Sequence, residues 1–275
     1  MTFKNILTYV DVDAGVDSMP ALTAAAAVAT RFRAHLTALH VEPDIYIPIG
    51  PTFPAQMIEW QETSAQERTA AARKIVEAVE RSTGTSIDWR TERGDPGMVA
   101  AMHALYADLV VTSMHTGDPK RADINLVFES VLLSTGRPVL AIPAQLSGAP
   151  IGKRVLIAWK ASRGAARAVQ ESLPFLGKAE AVQVLELHRD SDRPLREYGA
   201  DIALHLSRHG VAVDVAHGPA SESEIGAAIL ERARTFGADL IVAGAYGHTR
   251  MREYVLGGTT VHLLRNARVP VLMAH

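Results

Sequence analysis

The stretch richest in chemistry is Gly244-Ala245-Tyr246-Gly247-His248-Thr249-Arg250, followed at a fixed distance by Gly257-Gly258-Thr259-Thr260. Its spacing is Gly-x2-Gly-x9-Gly, with small and hydroxyl residues opening what reads as a helix. Glycines let a chain turn sharply and approach a ligand with no Cβ in the way. The first turn of a helix carries unpaired N–H groups and the positive end of a dipole, which suits phosphate. Thr259 and Thr260 could add hydroxyl donors. The same residues also admit a plainer role: Gly244 and Gly247 as a tight turn, Gly257 as a helix breaker and the threonines as caps. Placement favours the ligand, because the motif follows the apolar run Leu240-Ile241-Val242 and precedes a helix.

Other candidates are weaker. Arg163, Arg167, Arg250 and Arg252 could reach a phosphate, and Arg250 is the best placed because it lies inside the motif. His205 and His209 stand four apart on a helix, the spacing of two metal ligands, but no acidic residue completes an HExxH pattern. They read as surface histidines, and no metal site is expected. No Gly-x-Ser-x-Gly elbow, Gly-x4-Gly-Lys-Ser/Thr loop or Gly-x-Gly-x-x-Gly fingerprint occurs. No strong general base is evident beside the glycines, although His248 and Glu253 lie near. Catalysis is expected to be weak ATP hydrolysis at most.

The elements that must hold this motif are written twice. Tyr106-Ala107-Asp108-Leu109-Val110-Val111 matches Gly237-Ala238-Asp239-Leu240-Ile241-Val242. The run Pro138-Val139-Leu140-Ala141-Ile142 matches Pro270-Val271-Leu272-Met273-Ala274, and Lys4 to Asp11 aligns with Lys153 to Lys160. Two copies of one unit explain all three matches. The expected boundaries are 1–143, a linker at 144–151 carrying Pro150 and Gly148, and 152–275. In the second copy, strands are predicted over 153–159, 181–187, 211–216, 239–244 and 269–274. Helices are predicted over 163–176, 195–208, 222–236 and 259–266, the third from Ile225, Ile229 and Ala233 recurring every four residues. Strict alternation of apolar strands with helices predicts an α/β protein of two tandem doubly wound domains. Each would be a five-stranded parallel sheet with helices on both faces, binding ligands at the carboxyl ends of its strands.

The whole chain, not a single piece, resembles a tandem-type universal stress protein. The likeness rests on Gly244-x2-Gly247-x9-Gly257, on Gly258-Thr259-Thr260, and on the runs Ala238 to Val242 and Val269 to Leu272. It covers nearly all of 151–275 and, more weakly, 1–143. The resemblance implies a site for ATP, or for ADP or AMP with magnesium as an accompanying ion, built on Gly244, Gly247, Gly257, Gly258, Thr259 and Thr260. It also implies contributions from Ala158, Trp159, Lys160 and Ala161 at the end of the first strand, from His188 at the end of the second, and from His248. Two positions depart from the family pattern. Lys160 stands where Asp is usual, and Gly258 where Ser or Thr is usual. Binding is expected to survive with a shifted preference.

The first copy reverses this picture. Asp11 ends its first strand, but Thr112 to Asp118 holds a single glycine, and its following helix is expected to start at Phe128-Glu129-Ser130. A carboxylate there would satisfy the helix dipole and repel an anion, so the copy is expected to serve packing or dimerisation. Between its second strand and second helix, 42–61 carries Pro43, Pro48, Pro51 and Pro54 among Tyr46, Phe53 and Trp60. It reads as an ordered loop or as a segment for a protein partner.

The composition bounds these readings. The 275 residues carry 28 Lys and Arg against 30 Asp and Glu, a net charge of −2. This excludes a strongly basic nucleic-acid binder driven by net charge. Cysteine is absent, which removes disulfides, thiolate metal sites and cysteine nucleophiles. The run Ala21 to Ala29 falls far short of the roughly 20 apolar residues of a membrane span. Met1 to Val10 lacks the basic start of a leader. With the resemblance, these suggest a cytoplasmic stress-response protein that binds an adenine nucleotide in its second copy and acts as sensor or adaptor. It would form a homodimer or a pseudo-dimer within the chain. A slow nucleotide hydrolase or transferase and a ligand-free scaffold are the alternatives.

Overall fold

A computed structural model describes residues 2–12, 17–44, 55–114, 123–146, 148–188, 198–245 and 257–275. The chain divides into two compact units. One consists chiefly of Phe3–Ser113 with Pro119–Arg137, the other chiefly of Pro138–His275.

In the first unit, four parallel strands lie in the order β3-β2-β1-β4: β1 (Asn5–Tyr9), β2 (His35–Glu42), β3 (Ile87–Arg93) and β4 (Leu109–Ser113). The alanine-rich run becomes α1 (Met19–Phe32), whose small side chains pack directly on the strands. It ends at Arg33 in the left-handed conformation, φ 54°. α2 (Ala55–Thr83) is longer than expected. Residues 55–61, predicted as loop, are its first turns, because no proline follows Pro54 and proline is tolerated only at a helix start. Met57 and Trp60 stand exposed on it. α3 (Pro96–Ala104) is capped by Asp95, which accepts the Met98 N–H at 2.7 Å.

α4 (Asp123–Ser134) corrects a further expectation. Phe128, Glu129 and Ser130 lie inside this helix, not at its start. Phe128 is buried as part of the apolar face, so the helix continues through it. Glu129 therefore satisfies no helix N-terminus, and burial pushes its carboxyl up from the ordinary range.

In the second unit, five parallel strands run in the order β10-β9-β6-β7-β8: β6 (Arg154–Trp159), β7 (Ala181–His188), β8 (Asp214–Pro219), β9 (Leu240–Gly244) and β10 (Val271–Ala274). The helices between them are α5 (Arg163–Leu176), α6 (Tyr198–Arg208), α7 (Ile225–Phe236) and α8 (Gly258–Asn266). The alternation is as predicted; residues 195–197 of the expected helix lie outside the described residues, most boundaries agree within two residues, and the larger shifts are those of β8 and α7. β8 starts three residues late, because the chain turns at Gly210 (φ 76°) and buries Val211 beneath the end of α6 first. α7 starts at Ile225, not 222: residues 222–224 form a turn, in which the Ser221 N–H and hydroxyl donate to the Glu224 carboxylate, and the N-cap Glu224 makes no side-chain cap bond of its own.

β5 (Val139–Ile142), the closing strand of the first sequence copy, belongs to this second compact unit. It pairs antiparallel with β10, Leu140 opposite Leu272, and makes the sheet mixed. A strand edge otherwise presents unpaired N–H and C=O groups, and β5 satisfies those of β10.

The repeated aspartate has the same task in both units. The carboxylate of Asp239 accepts the N–H groups of Gly152 (2.8 Å), Lys153 (3.0 Å) and Arg154 (3.1 Å). That of Asp108 accepts those of Lys4 (2.7 Å) and Asn5 (3.0 Å). Each fixes where the first strand of its unit enters the sheet.

Candidate functional site

In the second unit β6 has β9 on one side and β7 on the other, so the chain order reverses at β6. A crevice opens at the carboxyl ends there, as expected for a doubly wound sheet. It holds a cavity of about 300 Å³. The floor comes from Ala158, Ala243 and Gly244 at the strand ends. Leu185, Leu187, Ile225 and Ile229 make an apolar wall on the β7 and α7 side. The cavity is also lined by Gly257, Gly258, Thr259 and Thr260, the start of α8, and by Trp159 and Lys160 at the end of β6.

The two glycine positions have different physical jobs. A Cβ on Gly244 would collide with the backbone of α5, meeting the Ala165 nitrogen and, at 2.7 Å, the Gly164 carbonyl carbon. A Cβ on Gly164 would meet the Ala245 carbonyl oxygen at 2.8 Å. Gly244 thus lets α5 lie directly on β9. By contrast, no described residue lies within 4 Å of a Cβ built on Gly257 or Gly258, and Gly257 (φ −58°, ψ 146°) has backbone angles open to any residue. Gly257 faces the free space of the cavity.

α8 starts there with Gly257 as its N-cap and no side chain capping it. The N–H groups of its first turn have no intrahelical acceptor, and they border the cavity. Trp159 Nε1 is buried, with no hydrogen-bond partner among the described residues.

Of the residues singled out from the sequence, Ala158, Trp159, Lys160, Gly244, Gly257, Gly258, Thr259 and Thr260 all line this cavity. Ala161 and His188 do not. Ala161 is exposed just past β6, and the His188 carbonyl accepts the Ala220 N–H at 2.9 Å at the top of β7. Gly247, His248 and Arg250 lie outside the described residues. The apolar wall was missed, as were Ser162, Ala165 and Glu222. The four-residue spacing of Ile225 and Ile229 identified a helix face but not what that face looks onto. His205 on α6 and His209 just past its end are both exposed, and no group of three potential metal ligands occurs among the described residues.

In the first unit the corresponding strand end is tied to its own chain. The Asp11 N–H donates to Ser18 Oγ at 2.9 Å, and that hydroxyl donates back to the Asp11 carbonyl at 2.8 Å. Nearby, Glu42 is buried and accepts from Thr69 Oγ1 (2.7 Å) and Arg68 Nη2 (3.0 Å), with His40 Nε2 at 2.9 Å. Burial alone would raise its carboxyl pKa, but hydrogen bonds from Thr69, His40 and Arg68 outweigh it and hold the group below its ordinary value. A separate cavity of about 440 Å³ lies by Asn5, His35, Thr37, Arg90, His103 and Tyr106. Its charged groups are already engaged, Arg90 with Asp88 at 3.1 Å and His103 with Glu92 at 2.6 Å.

Two tandem doubly wound units, one with a crevice between an apolar wall and an uncapped helix start, define the class. The Universal stress protein family matches residues 2–143 and 152–275, and the chain belongs to that family. Universal stress protein Slr1230 of Synechocystis is 28% identical over 152 residues, 52% of this chain and 49% of that protein. The chain thus spans about half the length of this curated relative. A universal stress protein from Archaeoglobus fulgidus has the same fold, with a TM-score of 0.72 at 18% identity over 98% of this chain and 95% of that one. Smaller universal stress proteins have been solved in complex with cAMP (16% identity, 52% of this chain and 98% of that one, TM-score 0.39) and, from Archaeoglobus fulgidus, with dAMP (18%, 51% and 98%, 0.33). No helix among the described residues is long and apolar enough to cross a membrane.

Proposed function

We propose that the crevice of the second unit binds an adenine nucleotide, ATP or a relative of it, and that binding biases the protein toward one conformation or assembly. The observation that carries this reading is that two unlike surfaces line one cavity: apolar side chains from β7 and α7, and a helix N-terminus whose N-cap is a glycine. The base lies against Leu185, Leu187, Ile225 and Ile229. The phosphate takes the N–H groups of α8 beside Gly257, Gly258, Thr259 and Thr260. A ligand that binds only the folded form stabilises it, and one that prefers one of two states shifts their populations. This suits a sensor or adaptor better than a metabolic enzyme. The first unit takes no nucleotide in this reading, since the end of its β1 is closed onto Ser18.

Mass spectrometry of the small molecules released when freshly purified protein is denatured tests this directly. About one adenine nucleotide per chain is expected. Two per chain refute the account of the first unit. Release of none, together with no calorimetric response to millimolar ATP, ADP or AMP, refutes the nucleotide reading itself.

A further inference from the structure

We propose that the open face of α3 in the first unit is the interface of a homodimer, paired about a twofold axis at Met102. Residues 96–107, α3 and the turn after it, hold no Lys, Arg, Asp or Glu. Gly97, Val99, Ala100 and Ala104 are buried against the rest of the unit. Met98, Met102, Leu105 and Tyr106 fall on the other side, at i, i+4, i+7 and i+8, and are 68%, 54%, 48% and 83% exposed. Leu105 keeps helical angles (φ −56°, ψ −27°), so the spacing carries through to Tyr106. A helix that is apolar on every side is ordinarily covered on every side. The exposed faces of α5 and α7 carry ion pairs instead, Arg167 with Glu171 and Glu231 with Arg234.

Area and composition point to a second copy of this chain as the cover. The four side chains expose roughly 500 Å² per chain, so twofold pairing removes roughly 1,000 Å² from these alone, the size a specific interface must reach before its rim is counted. Methionine and tyrosine are enriched, and charge is depleted, at the centre of such interfaces. The face holds no charge to select an acidic or basic partner, and twofold dimers are the commonest closed assembly. Met98, Met102 and Tyr106 form one i, i+4 ridge, the kind that packs into the groove of a like helix. An axis crossing α3 at Met102 sets the two helices antiparallel. Met98 then faces Tyr106 of the second copy, a sulfur–aromatic contact. Polar groups at the border are already engaged. His103 Nε2 lies 2.6 Å from Glu92 Oε1, and Arg137 Nη2 donates to the Leu105 carbonyl at 2.8 Å. β5 and β10 pair with each other within the chain, so a second copy has no claim on that strand pairing.

Sedimentation of the full chain, with no nucleotide added, tests this. A species of twice the 29.6 kDa of one chain is expected at micromolar concentration. Met102→Lys sets two like charges on the axis and should weaken self-association about a hundredfold. Met102→Glu should do the same, and an equimolar mixture of the two variants should restore the dimer, because each Lys then faces a Glu. Leu204→Lys, at a residue of α6 about as exposed as Met102, should leave the dimer unchanged. All these positions are exposed, so the variants should keep the circular dichroism and melting of the parent. The unmodified protein offers a second measurement. Peroxide oxidation of Met98 and Met102, read by peptide mass spectrometry, should slow several-fold as protein concentration rises through the dimer range, while that of exposed Met57 should not. The proposal is overturned if the chain sediments as a monomer at roughly 100 μM, a result that would give the face to a different protein. It is equally overturned if Leu204→Lys dissociates the dimer as much as Met102→Lys, if the mixture stays monomeric, or if Met98 and Met102 oxidise at a rate independent of concentration.

Discussion

Gly244 and Gly257 belong to one spaced motif, yet the structure gives them opposite sensitivities, and a pair of alanine substitutions separates them. In Gly244→Ala the new methyl meets backbone atoms of Gly164 and Ala165, which cannot rotate away as a side chain could. α5 must lift from β9. Overpacking of this kind costs about 1–3 kcal/mol, and a backbone obstacle places it at the upper end. With a urea m-value of about 2 kcal/mol/M, the midpoint for this unit should fall by about 1 M or more. In Gly257→Ala the methyl enters open space at backbone angles alanine adopts freely. The loss of a favourable N-cap and the smaller entropy of the unfolded chain nearly cancel, leaving a net change within about 0.5 kcal/mol. Trp159 is the single tryptophan of the second unit. Its fluorescence in a Trp60→Phe, Trp89→Phe background therefore reports on that unit alone. Nucleotide affinity should show the reverse order per unit of stability lost, because the Gly257 methyl occupies space at the start of α8. Gly257→Ala should retain its urea midpoint and bind AMP about tenfold more weakly, the loss of roughly one good hydrogen bond to a charged group. Equal destabilisation by the two variants would refute the steric assignment. Unchanged binding in Gly257→Ala would refute the assignment of that open space to ligand.

The structural carboxylates give further tests. Asp239→Ala strands three backbone N–H donors and should cost about 2 kcal/mol, with Asp108→Ala the corresponding loss in the first unit; both are read by urea denaturation. Glu42 is held below its ordinary value, so its contribution is present above about pH 4.3 and is lost as pH falls through the folded value. In Glu42→Gln the acid side of the stability profile should be shallower, with a loss of about 2 kcal/mol at neutral pH; an unaltered acid side would count against the cluster. Glu129 has the opposite sign. Its raised value means a contribution fully present below the unfolded pKa and lost as pH rises through the folded one. Glu129→Gln should therefore melt higher than the parent at pH 7, and no differently at pH 3.

Much of the fold could be read from the sequence because its signals are local. Three aligned pairs of apolar runs revealed the repeat, and α5 occupies the predicted 163–176. Boundaries slipped where a tertiary contact decided them. Val211 is buried under α6 before β8 can begin, and Phe128 belongs to a buried helical face that carries α4 past the expected start. β5 was legible in a different way. Its residues read as a closing strand, and the family resemblance implies that such edges pair between domains or subunits, as β5 does with β10; nothing local gives the antiparallel direction. The site shows the same division. Eight of the residues picked for their type and place line the cavity, since they sit on strand ends and a helix start, whose positions follow from the alternation. Leu185, Leu187, Ile225 and Ile229 do not stand out as site residues in the sequence, since an aliphatic facing a ligand and one facing the core look alike.

Spacing conceals one further distinction. A Gly-x2-Gly-x9-Gly pattern invites a single explanation for every glycine, namely close approach of backbone to ligand. Gly244 answers to α5 and would be required with no ligand at all, because the helix start at Gly164 presses on the same point from the other side. Gly257 answers to no described neighbour and to no special backbone angle. A residue that the fold does not need, placed at the uncapped end of a helix beside an apolar wall, is the one whose identity a ligand has the most say over. The first unit is consistent with that division. It has the same alternation and the same strand-anchoring aspartate, but just past its first strand the Asp11 backbone and the Ser18 hydroxyl bond to each other. On the proposed reading, folding and binding draw on separable subsets of the motif, and a copy could lose the second without losing the first.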